Sequence, residues 1–112
     1  MSDLNLELRI REEVDEVREK VSKRHFEAWG YQLYAQVKEM YEVFKKIERP
    51  TFNITEGEIN FLEKKFIPAV MKARMVLSDT TDDNPVLLTE LASYQAGAEA
   101  YLTTCRVINT AS

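Results

Sequence analysis

The chain has 112 residues, with 15 Lys and Arg against 19 Asp and Glu, a net charge of −4 and 45% hydrophobic residues. These values are typical of one small globular domain and exclude an intrinsically disordered chain. Cys105 is the sole cysteine, which excludes an internal disulfide and a multi-cysteine zinc site. The charged N-terminus lacks a secretory signal pattern, and no apolar run reaches the roughly 20 residues of a membrane span. We therefore expect one cytoplasmic domain over residues 1–112, with no cofactor and no membrane contact.

The first predicted element is a charged helix with one narrow apolar seam. Its apolar residues are spaced by four, three and four positions, and nearly all residues between them are charged. This spacing is that of a heptad seam, although it is too short to predict a coiled coil. We call these residues the N-terminal seam: Ile10, Val14, Val17 and Val21.

A longer apolar stripe follows and predicts the best-defined helix of the chain. Apolar residues recur at every third or fourth position from Phe26 to Ile47, and Pro50 ends the pattern. The five-residue step from Val21 to Phe26 turns this stripe about 140° away from the N-terminal seam. The chain therefore either breaks near Ser22 or forms one long helix whose two halves face different neighbours.

We favour one continuous helix over residues 5–48. Residues 22–25 contain no Gly or Pro, and Ser22 has no acid three positions later to complete a capping box. Such a helix would be roughly 65 Å long, which is more than the core of a small monomer can cover. Its N-terminal half is therefore expected to protrude. This predicts self-association, or binding to another protein, through the N-terminal seam.

The middle helix is predicted over residues 56–78. Thr55 and Glu58 form a capping box, so that the helix begins at Glu56. Pro68 removes one backbone donor and is expected to kink the helix near Lys64.

The last helix is predicted over residues 85–109, after a polar loop. Asn84 is its N-cap and Pro85 its first residue. Its apolar face includes Leu91, Cys105 and Ile108. The predicted fold class is all-α, a small antiparallel three-helix bundle with a long, partly protruding N-terminal helix.

The residue types that usually carry catalysis are few and isolated. His25 is the single histidine and lies in a basic polar stretch, while Cys105 lies on an apolar helix face. No Glu-x-x-His pair and no glycine-rich phosphate loop is present. Asp79, Asp82 and Asp83 are expected to solvate a loop rather than bind a metal. The sequence therefore predicts no catalytic residue, no metal site and no enzyme activity.

One helical surface is a candidate site for a ligand or a partner. We call it the tyrosine face: Tyr31, Tyr34, Lys38, Tyr41 and Lys45, which follow one another at helical spacing. Tyrosine rings stack on bases and lysines contact phosphates. The competing interpretation is that the tyrosines widen the core and keep only their hydroxyls in water.

The function prediction rests on these surfaces. Residues 79–112 hold five acids against Arg106, which disfavours a nucleic-acid partner. The leading hypothesis is a non-enzymatic protein–protein interaction protein, an oligomeric adaptor, assembly subunit or small inhibitor that acts through helical surfaces. The alternative is a module that sequesters a nucleotide or another small molecule on the tyrosine face, at a subunit interface.

Overall fold

The fold is all-helical in a computed structural model that describes residues 2–80 and 84–111. No strand is found among those residues, which confirms the predicted all-α class. The helices are α1 (Ser2–Lys20), α2 (Lys23–Ile47), α3 (Glu56–Phe61), α4 (Ile67–Ser78) and α5 (Pro85–Ala111). A π-helical turn, Leu62–Phe66, joins α3 and α4 into one rod. In the described ranges, each helix is too short or too polar to cross a membrane.

Helix α4 lies at the centre of the bundle, and α1, α2 and α5 all pack against it. Gly30 near the start of α2 lies against Leu77 at the end of α4, whereas Phe44 stacks on Phe66 at the other end. Helix α2 therefore runs antiparallel to the rod. Helix α5 is antiparallel to the rod as well, because its Gln95 bonds to Arg74 of α4 while its later Arg106 pairs with Glu63 of the π turn. These elements are compatible with the predicted three-helix arrangement, to which α1 adds a further helix packed on α4.

The N-terminal helix is a separate element, so the prediction of one continuous helix over residues 5–48 is wrong. Helix α1 ends at Lys20 and α2 begins at Lys23. Between them Ser22 has extended backbone, with φ −70° and ψ 161°, and its hydroxyl accepts a hydrogen bond from the backbone N–H of His25 at 3.2 Å. A serine can cap a helix without an acid at the third position. The absence of a capping box was therefore no argument against a break.

The N-terminal seam is buried against the chain's own core rather than protruding. Ile10 and Val14 are 4% and 0% exposed, Val17 is half-buried, and Val21 is 39% exposed. The longest dimension of the fold is 52 Å, which is less than the roughly 65 Å length of the predicted continuous helix. Because the two apolar stripes point in different directions, the bend at Ser22 turns both towards α4.

Ion pairs also connect α1 to α4. Lys72 Nζ lies 2.7 Å from Glu13 Oε1, and Arg11 and Arg18 both donate to Asp79 Oδ2, at 2.7 and 2.5 Å. Glu13 pairs with Lys72, and Arg18, later in α1, pairs with Asp79 just after α4, so α1 runs parallel to α4; the long side chain of Arg11 reaches back to the same Asp79. Exposed ion pairs contribute at most about 1 kcal/mol each, so burial of the seam stabilises this contact more than the charges do.

The predicted start of the middle helix is confirmed. Glu58 N–H donates to Thr55 Oγ1 at 3.1 Å, and Thr55 N–H donates to Glu58 Oε1 at 3.0 Å. Arg49 adds two bonds to the same carboxylate, at 3.1 and 2.7 Å. The loop before α3 is therefore held to the end of α2.

The irregularity predicted near Lys64 is a π turn. Ile67 N–H bonds to the carbonyl of Leu62, five residues earlier. Pro68 cannot donate to the carbonyl of Lys64, and a widened turn at that point accommodates the missing bond.

The last helix also starts as predicted. Leu87 N–H donates to Asn84 Oδ1 at 3.3 Å. The preceding loop residues Thr81, Asp82 and Asp83 lie outside the described ranges. Along α5, Leu91 and Cys105 are buried, but Ile108 is 43% exposed. The prediction that Ile108 extends the apolar face is wrong, since α5 runs past the core at its C-terminal end.

Candidate functional site

The tyrosine face of α2 meets a single carboxylate of α5. Tyr34 donates its hydroxyl to Glu90 Oε1 at 2.5 Å, and Tyr94 donates to Glu90 Oε2. The ring of Tyr41 stacks on that of Tyr94, with 4.0 Å between the centroids. Glu90 thus anchors two tyrosines and joins α2 to α5.

The electrostatics of this cluster keep it in one protonation state near neutral pH. Burial, together with the hydrogen bond to Glu90, raises the pKa of Tyr34 to about 12 and also raises the pKa of Tyr94. Hydrogen bonds from both hydroxyls and the charge of Lys38 lower the pKa of Glu90. The tyrosines stay neutral and Glu90 stays ionised, which suits a structural cluster more than proton transfer.

The other members of the tyrosine face are engaged within the chain. Lys38 Nζ lies 5.6 Å from the ring centroid of Tyr34, and Lys45 Nζ lies 5.4 Å from that of Tyr41. Tyr31 packs against the core instead of joining the cluster. The hydroxyl of Tyr34 and the rings of Tyr34 and Tyr41 are therefore already in contact with other side chains.

A groove of about 880 Å³ lies on another side of the molecule, between α1, the π turn, α4 and α5. Its floor is apolar, formed by the buried side chains of Ile10, Ile67 and Leu102 with the half-buried Leu6 beside them. Since these residues come from three distant parts of the chain, no single helical pattern in the sequence predicts the groove. Sequence reasoning missed it for that reason.

The acidic residues at the rim of the groove mostly have cationic partners. Glu13 pairs with Lys72, and Glu63 pairs with Arg106. Glu99 accepts a hydrogen bond from the amide of Gln95 at 3.3 Å.

Two cations at the same rim have no ion-pair partner among the described residues. Arg9 and Lys64 line the groove, are exposed, and form no hydrogen bond or ion pair with any residue in the described ranges. The groove therefore combines a floor of apolar residues with one more cation than carboxylates at its rim, where Arg9, Lys64, Lys72 and Arg106 stand against Glu13, Glu63 and Glu99. Such a surface suits an amphipathic ligand that carries negative charge beside its apolar side.

His25 and Cys105 occupy the positions that the sequence predicts. His25 is exposed at the start of α2, with Nδ1 2.9 Å from Ser22 Oγ. Cys105 is 1% exposed within the core. Among residues 2–80 and 84–111, no group of three or more His, Cys, Asp or Glu is arranged to hold a metal ion.

Comparisons with protein-family models, with curated protein sequences and with solved structures give no match to this chain. The function must therefore be argued from the groove and from the tyrosine cluster.

Proposed function

We propose that this chain is a non-enzymatic protein-binding module whose groove holds an amphipathic helix of a partner protein. The observation that carries this proposal is the groove of about 880 Å³ between α1, the π turn, α4 and α5, in which the half-buried Leu6 lies beside a floor of Ile10, Ile67 and Leu102. Partner helices commonly lay one apolar side into such a groove, with anchors at every third or fourth position. The protein would act as an adaptor, an assembly subunit or an inhibitor by retaining that helix, and we propose that it does so in the cytoplasm.

The dimensions of the groove suit a short helical segment. Leu6 and Glu13 mark its length on α1, and at 1.5 Å per residue they are about 10 Å apart along the helix axis. This length accommodates about two turns of a partner helix, which present two or three apolar anchors on one side.

The charge of the rim favours an acidic partner. Because Glu13 and Glu63 are paired within the chain, an approaching helix meets Arg9 and Lys64 against the single remaining carboxylate of Glu99. Acidic residues beside the apolar anchors of the partner would pair with these two cations. Rim charges act mainly on the association rate and on its salt dependence.

The tyrosine face supports a ligand-binding function less well. A nucleotide on this face would have to separate Tyr41 from Tyr94, or move Lys38 away from Tyr34. The groove, by contrast, already has about 880 Å³ of space between its helices.

Charge reversal of the groove tests the proposal. The double variant Arg9→Glu and Lys64→Glu should weaken binding of a partner, first isolated with the wild-type protein, by about tenfold at low salt. The matched control reverses Arg24 and Lys65, which are also exposed and lie outside the groove. Affinities are measured by calorimetry with purified proteins at two salt concentrations.

Three results would contradict the proposal. One is a partner whose affinity is the same for the groove variant and for the wild type, and another is an equal loss in the control. The third is a partner segment that binds without an apolar helical stripe. Circular dichroism of each variant ensures that a loss of binding is not a loss of fold.

A further inference from the structure

The link between α1 and α2 is short and contains no helix breaker. It consists of Val21 and Ser22, and the bend depends on the side-chain cap that Ser22 provides to His25 N–H. Neither residue is Gly or Pro, so the link can take up helical backbone once the cap is lost. Straightening of the link itself therefore costs this one cap.

Helix α1 docks on a surface that any copy of this chain can offer. It packs on α4 and has few contacts with α2. Its ion pairs, from Glu13 to Lys72 and from Arg11 and Arg18 to Asp79, also end on α4. If the link straightens, α1 leaves α4 of its own chain and can form the same contacts on α4 of a second copy.

The end of the N-terminal seam is less covered than its start. Val21 is 39% exposed in the bent chain, although it continues the stripe of Val14 and Val17. In a two-fold symmetric exchange the two links lie near the symmetry axis, so the partly exposed Val21 is an apolar side chain close to the second copy.

We propose that two copies of this chain exchange α1, so that α1 of each copy packs on α4 of the other. The self-association predicted from the seam then occurs through the contacts with α4 rather than through a free coiled coil. Each groove becomes composite, with Leu6 and Arg9 from one copy and Ile67 and Leu102 from the other. The exchange does not depend on the proposed partner helix.

Isotope mixing with a zero-length cross-linker tests the exchange directly. Protein labelled with nitrogen-15 is unfolded together with unlabelled protein, refolded, and treated with a carbodiimide that joins Glu13 and Lys72 as an amide. These two groups are 2.7 Å apart, and mass spectrometry reads the labels of each joined peptide pair. When equal amounts are mixed, about half of the cross-linked pairs from an exchanged dimer join a labelled peptide to an unlabelled one, because chains associate at random.

Light scattering of the same sample gives the mass. An exchanged dimer has twice the 13.0 kDa mass of one chain. A single-chain mass at every concentration overturns the proposal. A dimer in which both peptides of every cross-linked pair are labelled, or both are unlabelled, overturns it as well, because the copies then associate without exchanging α1.

A matched pair of variants tests the straightening of the link. Ser22→Ala and Ser22→Gly both remove the hydroxyl cap, but alanine is favoured over glycine in a continuous helix by about fivefold per position. With two links per dimer, the dimerisation constant of Ser22→Ala should exceed that of Ser22→Gly by at least about 25-fold, because glycine is also the better N-cap in the bent monomer. Equal constants would show that the link does not straighten.

Discussion

Replacing Gly30 with alanine probes the closest approach between α2 and α4. A Cβ atom at this position would lie 2.9 Å from Cδ2 of Leu77 and 3.0 Å from Cγ1 of Val76. Both neighbours belong to the buried core, at 3% and 0% exposure. The β-branched Val76 has one preferred rotamer in a helix, so it cannot turn away without strain. The added methyl group must therefore push α2 and α4 apart or displace Leu77.

Two opposing terms determine the size of the effect. Alanine is favoured over glycine in a helix interior by about 1 kcal/mol. Overpacking a dense core costs about 1 to 3 kcal/mol. We expect Gly30→Ala to lower the free energy of unfolding by about 1 kcal/mol.

Gly97 is the matched control, because it receives the same substitution within a helix without the crowding. The nearest side-chain atom to a Cβ at Gly97 is Cε2 of Phe44 at 3.9 Å, an ordinary van der Waals contact. Gly97→Ala should therefore raise the free energy of unfolding by up to about 1 kcal/mol. Both variants are measured by urea denaturation at one protein concentration, since association would shift apparent stability. If Gly30→Ala stabilises the protein as much as Gly97→Ala does, the inferred close contact is wrong.

Two further predictions concern the end of α2. The guanidinium of Arg49 and the backbone N–H of Thr55 lower the pKa of Glu58 to about 2, so its stabilisation is present above pH 5 and disappears as the pH falls towards 2. Arg49 is 41% exposed, so solvent screens its pair with Glu58. When the free energy of unfolding is measured at decreasing pH, the wild type should lose about 1–2 kcal/mol more than Glu58→Gln does. Parallel curves for the two proteins would refute this. Tyr101→Phe removes a hydroxyl that donates to the carbonyl of Ile47 at 3.1 Å and accepts from Arg49 N–H at 3.1 Å. Urea denaturation should show a loss of about 1–3 kcal/mol, and an unchanged midpoint would mean that water replaces both bonds.

Local sequence signals predicted most of the helix boundaries. The capping box of Thr55 and Glu58 and the N-cap Asn84 satisfy backbone groups through side chains a few residues away, so their chemistry is visible in the sequence. Pro68 likewise marks the irregular turn, because its missing N–H acts only on the preceding turn.

The bend at Ser22 shows where local signals are insufficient. A lone serine is compatible with a cap or with a helix interior, and the two outcomes differ by only about 1 kcal/mol. The burial of Ile10 and Val14 against α4 decides between them, and that contact joins residues that are distant in sequence.

The candidate sites likewise depend partly on local sequence and partly on contacts between distant helices. The tyrosine face was identified as a helical stripe, but its partners Glu90 and Tyr94 lie on another helix, and no periodicity within α2 indicates them. The groove was not predicted at all, because α1, α4 and α5 line it together and it exists only after they pack.

The sequence by itself determined the helical class, the caps and the amphipathic faces, because these depend on residues within one or two turns of each other. Only the tertiary structure decided what those faces contact. Helix α4 is apolar enough to bury three neighbours, and it therefore takes up the N-terminal seam that had seemed to require a second subunit. The same contact leaves a groove beside α1, which exists only because α1, the π turn, α4 and α5 come together there.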